Sequence, residues 1–356
     1  MEKSKPQNRN WNIDLIKLVS CVFVAGLHTL NMPASPTLYT LYHLCAFAIP
    51  FFFMSSGYML LNKKSVSWKY VVSKILRILR YVILWNVLWY AAVFFVDLFH
   101  TKDVWISIGT NIVECIKSIS EGCLFQKGRF YVFWYMGTTI ILYLLLPLLY
   151  RIQALPEVDC GSCKINYLLI VWLFALVVSV GLQMASMIAG CAIQSNVLQV
   201  LRIWCSLQYF LLGGFMPLLI KKIEHIFTLR THIVLAVIST IVSIAFRTKI
   251  GIKLINNTYA EYFYDDPLFI LSAISMFSLV ARLKINCFTK KTVSILAPLM
   301  LGVYATHLII RNAMQRFIPR NGNWLDIIWF IVYIVICFGA VKVFAKIPLA
   351  KYWLKL

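Results

Sequence analysis

The sequence predicts an all-α polytopic membrane bundle of about ten transmembrane helices, with both termini cytoplasmic. Three observations carry this. First, apolar residues make up 61% and charged residues 13% of the 356-residue chain, against about 45–50% and about 25% in soluble domains. Second, the apolar residues come in blocks of roughly 20, the length that crosses a bilayer. Ten blocks are legible, at about 12–32, 38–61, 78–99, 131–150, 165–187, 202–220, 231–250, 259–281, 292–313 and 324–347. Third, with ten crossings and an inner N-terminus, 22 of the 34 Lys and Arg residues fall in inner segments, 11 in outer ones, and Lys17 within a span. That bias follows the positive-inside rule. The net charge of +21 is therefore mostly topological. Anionic membrane lipid is the expected partner, and nucleic acid is not. The expectation is one transmembrane domain over residues 1–356 with no soluble domain, repeat array or low-complexity tract.

The first block is as long as a full span, carries charges and lacks a small-residue cleavage site, so it reads as a retained helix rather than a signal peptide. It also holds Asp14, Lys17 and His28. Eleven residues are about three helical turns, so Lys17 and His28 share a face, separated by roughly 16 Å of rise. Asp14 lies one turn before Lys17 on nearly the same face. Ionisable groups in a membrane helix are costly unless a protein-lined cavity holds them, so the stripe points to a path from one surface toward the other.

The second block contains Pro50-Phe51-Phe52-Phe53-Met54-Ser55-Ser56-Gly57-Tyr58. Small residues here suit close helix contact; equally, Ser56 and Gly57 would let the helix approach a ligand or bend beside a cavity. Entering the third block, Lys74, Arg77 and Arg80 recur near one turn along a helix face. They suit inner-leaflet lipid phosphates or the phosphates of a nucleotide-like donor, for which Arg offers bidentate contacts. The outer connection 100–130 is amphipathic with mixed charge, and reads as a surface loop with a short helix. The run Arg129 to Tyr135 that follows opens the fourth block. Its Trp134 and neighbouring rings fit an interfacial belt or a sugar-stacking platform.

Ten Cys are scattered, most of them in apolar blocks where Cys behaves as a small hydrophobe. Cys160-x-x-Cys163 is one pair without a second, too little for a zinc site, and no metal is expected. The ninth block holds Tyr304-Ala305-Thr306-His307. Counting at 1.5 Å per residue, His307 lies ~22 Å and His28 ~24 Å from the inner ends of their helices. His43 falls in the same outer half. A membrane His serves as an interhelical hydrogen bonder, but several at one depth above a Lys and an Asp point to a chemical centre.

Together these features resemble the integral-membrane acyltransferase 3 family, whose members O-acylate cell-envelope glycans and related molecules. Four features carry the likeness: Lys17, ten residues, then His28; Pro50 through Tyr58; the basic stripe Lys74, Arg77, Arg80; and Tyr304-x-x-His307. Phe133-Trp134-Tyr135 followed by an apolar run and Pro147 is similar to a further family block. The chain departs in having Lys17 where the family commonly has Arg, which keeps the charge but loses the planar fork. It also lacks a Pro in Val82–Asn86, just beyond the basic stripe, and no hydrolase-like domain is expected after the last span.

The resemblance implies an O-acyltransferase, acetyl being the expected group. It would work in a bacterial cytoplasmic membrane, with acetyl-CoA (acyl-CoA) as co-substrate, no tightly bound cofactor, and a glycan or lipid-linked sugar hydroxyl as acceptor. In that scheme His28 is the general base, with a covalent acyl-His relay as a variant. Lys17, held by Asp14, orients the donor or stabilises developing negative charge. Lys74, Arg77 and Arg80 bind the donor phosphates. His307, Tyr304, Ser56 and Trp134 serve the acceptor. The rival reading is a transporter or flippase of a lipid-linked glycan, which buried charges and aromatics would also serve. A membrane-bound binding or sensing subunit ranks last.

Overall fold

In the computed structural model, residues 9–97, 104–159 and 164–347 are described. The termini bearing Lys3, Lys5, Lys351 and Lys355, the loop residues Lys102 and Asp103, and both Cys160 and Cys163 lie outside them.

Every apolar block is helical. In chain order the helices are α1 (Trp11–Leu27), α2 (Pro36–Cys45), α3 (Ala48–Leu60), α4 (Trp68–Asp97), α5 (Val104–Ser120), α6 (Trp134–Gln153), α7 (Tyr167–Ala189), α8 (Ile203–Ile226), α9 (Leu229–Phe246), α10 (Ile252–Leu254), α11 (Pro267–Arg282), α12 (Cys287–Leu296), α13 (Met300–Phe317) and α14 (Leu325–Phe344). A two-residue antiparallel pair, Val158–Asp159 with Lys164–Ile165, brackets one loop. Among the described residues, eight helical segments are long and apolar enough to cross a membrane. The remaining two blocks form the shorter α1, of 17 residues, and α11, of 16. α11 begins at Pro267, later than the apolar run at 259, because Asp266 caps it by accepting the Phe269 N–H and proline at the first position needs no donor. The outer connection is more ordered than a loop: α5 is a 17-residue helix lying along α4, continued by a π-helical turn at Glu121–Phe125.

Two spans bend where proline removes a hydrogen bond. Pro50 cannot donate to the Ala46 carbonyl, and the second span breaks between α2 and α3. Pro298 cannot donate to Ser294, and the ninth span passes through a 3₁₀ turn, Ala297–Leu299, between α12 and α13.

The tightest crossing is α3 on α8. A Cβ on Gly57 would lie 1.7 Å from the Phe210 carbonyl oxygen, and one on Gly213 would lie 2.0 Å from that of Met54. Only glycine lets the two backbones meet there. α1 packs against α2, α3, α11 and α13, and Ile13, Ile16, Val24 and Ala25 are buried. Large apolar side chains on the periphery, such as Phe174, Val177, Ile241 and Val335, are exposed, as expected of a lipid-facing surface.

The polar contacts sort into two ends. At one end, Asn12 Nδ2 donates to the Val280 and Leu283 carbonyls, both at 2.8 Å, and Tyr150 Oη donates to the Leu60 carbonyl at 2.6 Å. At the other, Tyr39 Oη donates to Thr258 O at 2.9 Å and Arg311 Nη1 to His28 O at 2.7 Å. Lys17 lies toward the first end of α1 and His28 caps its other end.

A basic cavity below an imidazole pair

A cavity of about 800 Å³ opens among α1, α3, α4, α6 and the bend between α12 and α13. Lys17, Lys74, Arg77 and Arg80 line it together with Ser56 and Tyr304, and none of its lining residues is acidic. Six of the residues singled out in the sequence thus come together from four separate blocks. Arg77 and Arg80 are exposed, Lys17 and Lys74 half-buried. Four cations facing one space without a carboxylate repel each other, an arrangement matched to an anion with several charges. The bend at Pro298 turns Ala297, Met300 and Leu301 to the cavity wall.

Asp14 plays a different part from the one expected. It pairs with Arg9, Nε to Oδ2 at 2.5 Å. Among the described residues no carboxylate comes within ion-pair distance of Lys17. Asp14 therefore fastens the chain entering α1 through Arg9, and its charge reaches Lys17 without an ion pair.

The ceiling is aromatic. The Tyr304 ring stacks on Phe133 at 6.1 Å and meets Tyr135 edge-on at 6.2 Å, and its hydroxyl donates to the Val132 carbonyl. One turn beyond, His307 is buried, its ring 6.1 Å from that of Tyr304 and 5.3 Å from that of His28. The cavity lining stops at Tyr304. The continuous path suggested by the α1 stripe is thus interrupted by one tyrosine between the cations and the imidazoles.

The partners of the pair constrain its proton inventory. His307 Nδ1 sits 2.7 Å from the Tyr304 carbonyl oxygen, which can only accept. In the neutral ring Nδ1 therefore carries the hydrogen and Nε2 keeps its lone pair; that Nε2 is buried with no hydrogen-bond partner. His28 Nδ1 lies 3.1 Å from Tyr131 Oη, which can donate or accept, so His28 is free to take either tautomer. A carbonyl-oriented imidazole beside a second imidazole is an arrangement that can move a proton.

Other residues fall elsewhere. Trp134 faces a smaller recess with Gln194, Gln199, Arg202, Glu261 and Asp265, while its neighbour Tyr135 faces the basic cavity. His43 is buried among Tyr39, Tyr42 and Phe263, edge-on to Tyr39 at 4.6 Å, and belongs to the packed core. Arg311 was not singled out in the sequence, and Tyr131 and Tyr135 stood there only as members of the aromatic run. Arg311 carried a signal: a guanidinium one turn after His307 within an apolar block is itself unusual.

Replacing Tyr304 by Phe keeps the ring and strands a buried carbonyl, at a cost of about 1–3 kcal/mol. The purified variant is expected to melt at a lower temperature in detergent; an unchanged melting temperature would mean that the Val132 contact contributes nothing.

A family profile described as "Acyltransferase domain" matches residues 10–345. An amino-acid racemase of Enterococcus faecalis is 32% identical over 152 residues, covering 41% of this chain and 20% of the racemase. The chain thus matches about a fifth of that protein's length. No solved structure matches.

Proposed function

The chain belongs to the acyltransferase 3 family and is a multi-pass membrane protein, and from that premise we propose that it moves an acyl group, acetyl foremost, from cytoplasmic acyl-CoA to a hydroxyl of a cell-envelope polysaccharide or lipid-linked sugar. It would do so in the bacterial cytoplasmic membrane. The observation that supports this reading is the acid-free basic cavity directly below the His28–His307 pair. The fragment of likeness to a racemase does not carry that protein's activity here.

In this reading Arg77 and Arg80, exposed at the cavity mouth, hold the donor phosphates, with Lys74 and Lys17 further in. The pantetheine arm runs up past Ser56 toward Tyr304. The thioester reaches the imidazoles only when the Tyr304 ring leaves its stack on Phe133, so donor binding and opening of the ceiling are coupled. His28 takes the proton from the acceptor hydroxyl. The new C–O bond forms as the C–S bond breaks, and the CoA thiolate leaves into the cationic cavity. There Lys17 offsets its charge and a proton from water completes the thiol. His307 Nε2, its ring oriented by its own helix carbonyl, takes the proton from His28 and returns it to water, replacing the one the thiolate drew.

The test is acyl-CoA turnover by the purified protein in lipid nanodiscs with a glycan acceptor. Replacing Arg77 and Arg80 together by Gln removes two charge-assisted phosphate contacts, each worth about 1.5–3 kcal/mol. The KM for acyl-CoA is expected to rise by two orders of magnitude or more with a much smaller change in kcat. An unchanged KM would remove the donor assignment. Movement of a glycan across vesicles with no acyl-CoA consumed would replace the enzyme by a transporter.

A further inference from the structure

Beyond the imidazole pair, at the end opposite the basic cavity, are Arg129, Arg311 and Arg316, and the charges of the latter two reach Arg129. Arg311 donates from Nη1 to His28 O at 2.7 Å, and from Nε and Nη2 to Asn312 Oδ1 at 3.1 and 2.9 Å. Arg129 Cζ lies over the Trp89 ring, 4.0 Å from its centroid, and Arg129 Nε is buried with no hydrogen-bond partner. Burial, then the charges of Arg311 and Arg316, pull the Arg129 guanidinium below its ordinary value. Among the described residues no carboxylate lies within 4.0 Å of any of the three. The acids nearby in sequence are engaged: Glu114 and Glu121 with Lys117 at 3.7 and 4.0 Å, and Asp326 with the N–H groups of Asn321 and Gly322 at 3.4 and 2.9 Å. Three neighbouring like charges without a counter-ion call for an anion.

The same cluster borders an apolar cleft. α5 lies against the second half of α4, and between them is a space of about 470 Å³ walled by Ile83, Val87, Tyr90, Phe94, Ile112 and Ile116. Tyr90 lines this cleft and also lies in the electrostatic field of Arg129, and Trp89, the next residue, carries the Arg129 guanidinium. Cations at the mouth of a hydrocarbon-lined groove match one kind of molecule, an amphiphile with an anionic head. Arg311 ties the head position to His28.

We propose that Arg129, Arg311 and Arg316, with the α4–α5 cleft, form the docking site of a lipid-anchored acceptor whose headgroup carries phosphate. Its chain lies between α4 and α5, its phosphate sits among the three arginines, and its hydroxyl-bearing part comes to His28. The inference rests on the acyl-transfer reading and narrows the acceptor from any envelope glycan to one still attached to a lipid phosphate.

The experiment uses the full chain in nanodiscs and a long-chain isoprenyl phosphate bearing a photoreactive diazirine in its tail. Its competitors are the unlabelled phosphate, the uncharged isoprenol of equal length, and phosphatidylglycerol. Crosslinks are expected in 83–94 and 108–119, displaced by the unlabelled phosphate at a concentration about tenfold or more below that needed of the alcohol, the difference one charge-assisted contact makes. Arg316 is exposed, so Arg316→Gln keeps the fold and should weaken phosphate binding alone. Ala91→Trp, which narrows the cleft, should weaken phosphate and alcohol alike. Crosslinks elsewhere, or equal competition by the alcohol, would overturn the site. Equal competition by phosphatidylglycerol would make the cleft an ordinary lipid seat and overturn it too. The measurement needs no acyl-CoA, so loss of this binding in a protein that still turns over acyl-CoA sinks the docking site alone. Binding in a protein that never consumes acyl-CoA sinks the acyl-transfer reading and, with it, the ligand's part as acceptor.

Discussion

His28→Ala is expected to lower acyl transfer by about 10²–10⁴-fold, the range a positioned general base supplies, while leaving the protein folded and able to bind acyl-CoA. The ring sits at the end of α1, so its removal breaks no helix. It leaves Tyr131 Oη without its 3.1 Å partner and His307 without its neighbour. The Arg311 contact survives, because Arg311 donates to the His28 backbone carbonyl and not to the ring. Loss of turnover with intact donor binding and melting behaviour is therefore a statement about chemistry. A well-folded His28→Ala protein with undiminished turnover would remove His28 from the mechanism. Incubation with labelled acyl-CoA alone, followed by acid quench and peptide mass spectrometry, separates the two variants of that mechanism. Label on His28 before any acceptor is added signals a covalent relay, and unlabelled protein signals direct transfer.

The second large effect is structural. Gly57→Ala should cost more than about 4 kcal/mol, the exceptional end of single-substitution effects, because the added carbon would stand 1.7 Å from the Phe210 carbonyl oxygen. The obstacle is backbone on the facing helix, so α3 and α8 must separate along their crossing. α3 also contributes Ser56 to the cavity wall, so any misfolded remainder should lose donor binding as well. Gly181→Ala in α7 is the control. A Cβ there meets nothing within 4 Å, and alanine in a helix gains about 0.5–1 kcal/mol over glycine. Yield of monodisperse protein and melting temperature in detergent decide between them. Equal behaviour of the two variants would mean that the α3–α8 contact is looser than drawn.

The helices were legible because bilayer length and apolar composition leave few alternatives: each apolar block of the sequence became a helix. Depth counting set His28 and His307 at one level, and their rings stand 5.3 Å apart. The basic stripe was legible as a face and its destination was not, since lipid phosphate and a protein cavity ask for the same side chains. Helix-face reasoning offered Asp14 a neighbour three residues on, which its charge does reach, but could not show the ion pair with Arg9, which precedes the helix. Trp134 and Tyr135 are adjacent and point about 100° apart; only packing decides which of them faces the cavity. Tyr131 was hidden in an aromatic run that an interfacial belt would also produce. The closure at Tyr304 depends on a stack between α13 and the segment leading into α6, which no single block encodes.

That closure bears on charge leakage across a membrane. A water-filled bore lined by ammonium, guanidinium and imidazole groups would let protons run down the transmembrane potential, worth about 2.3 kcal/mol per charge per 100 mV. The rings of Phe133, Tyr135 and Tyr304 stand packed together where such a bore would have to pass. In the proposed reaction the acyl group handed past these rings is neutral and carries no charge across.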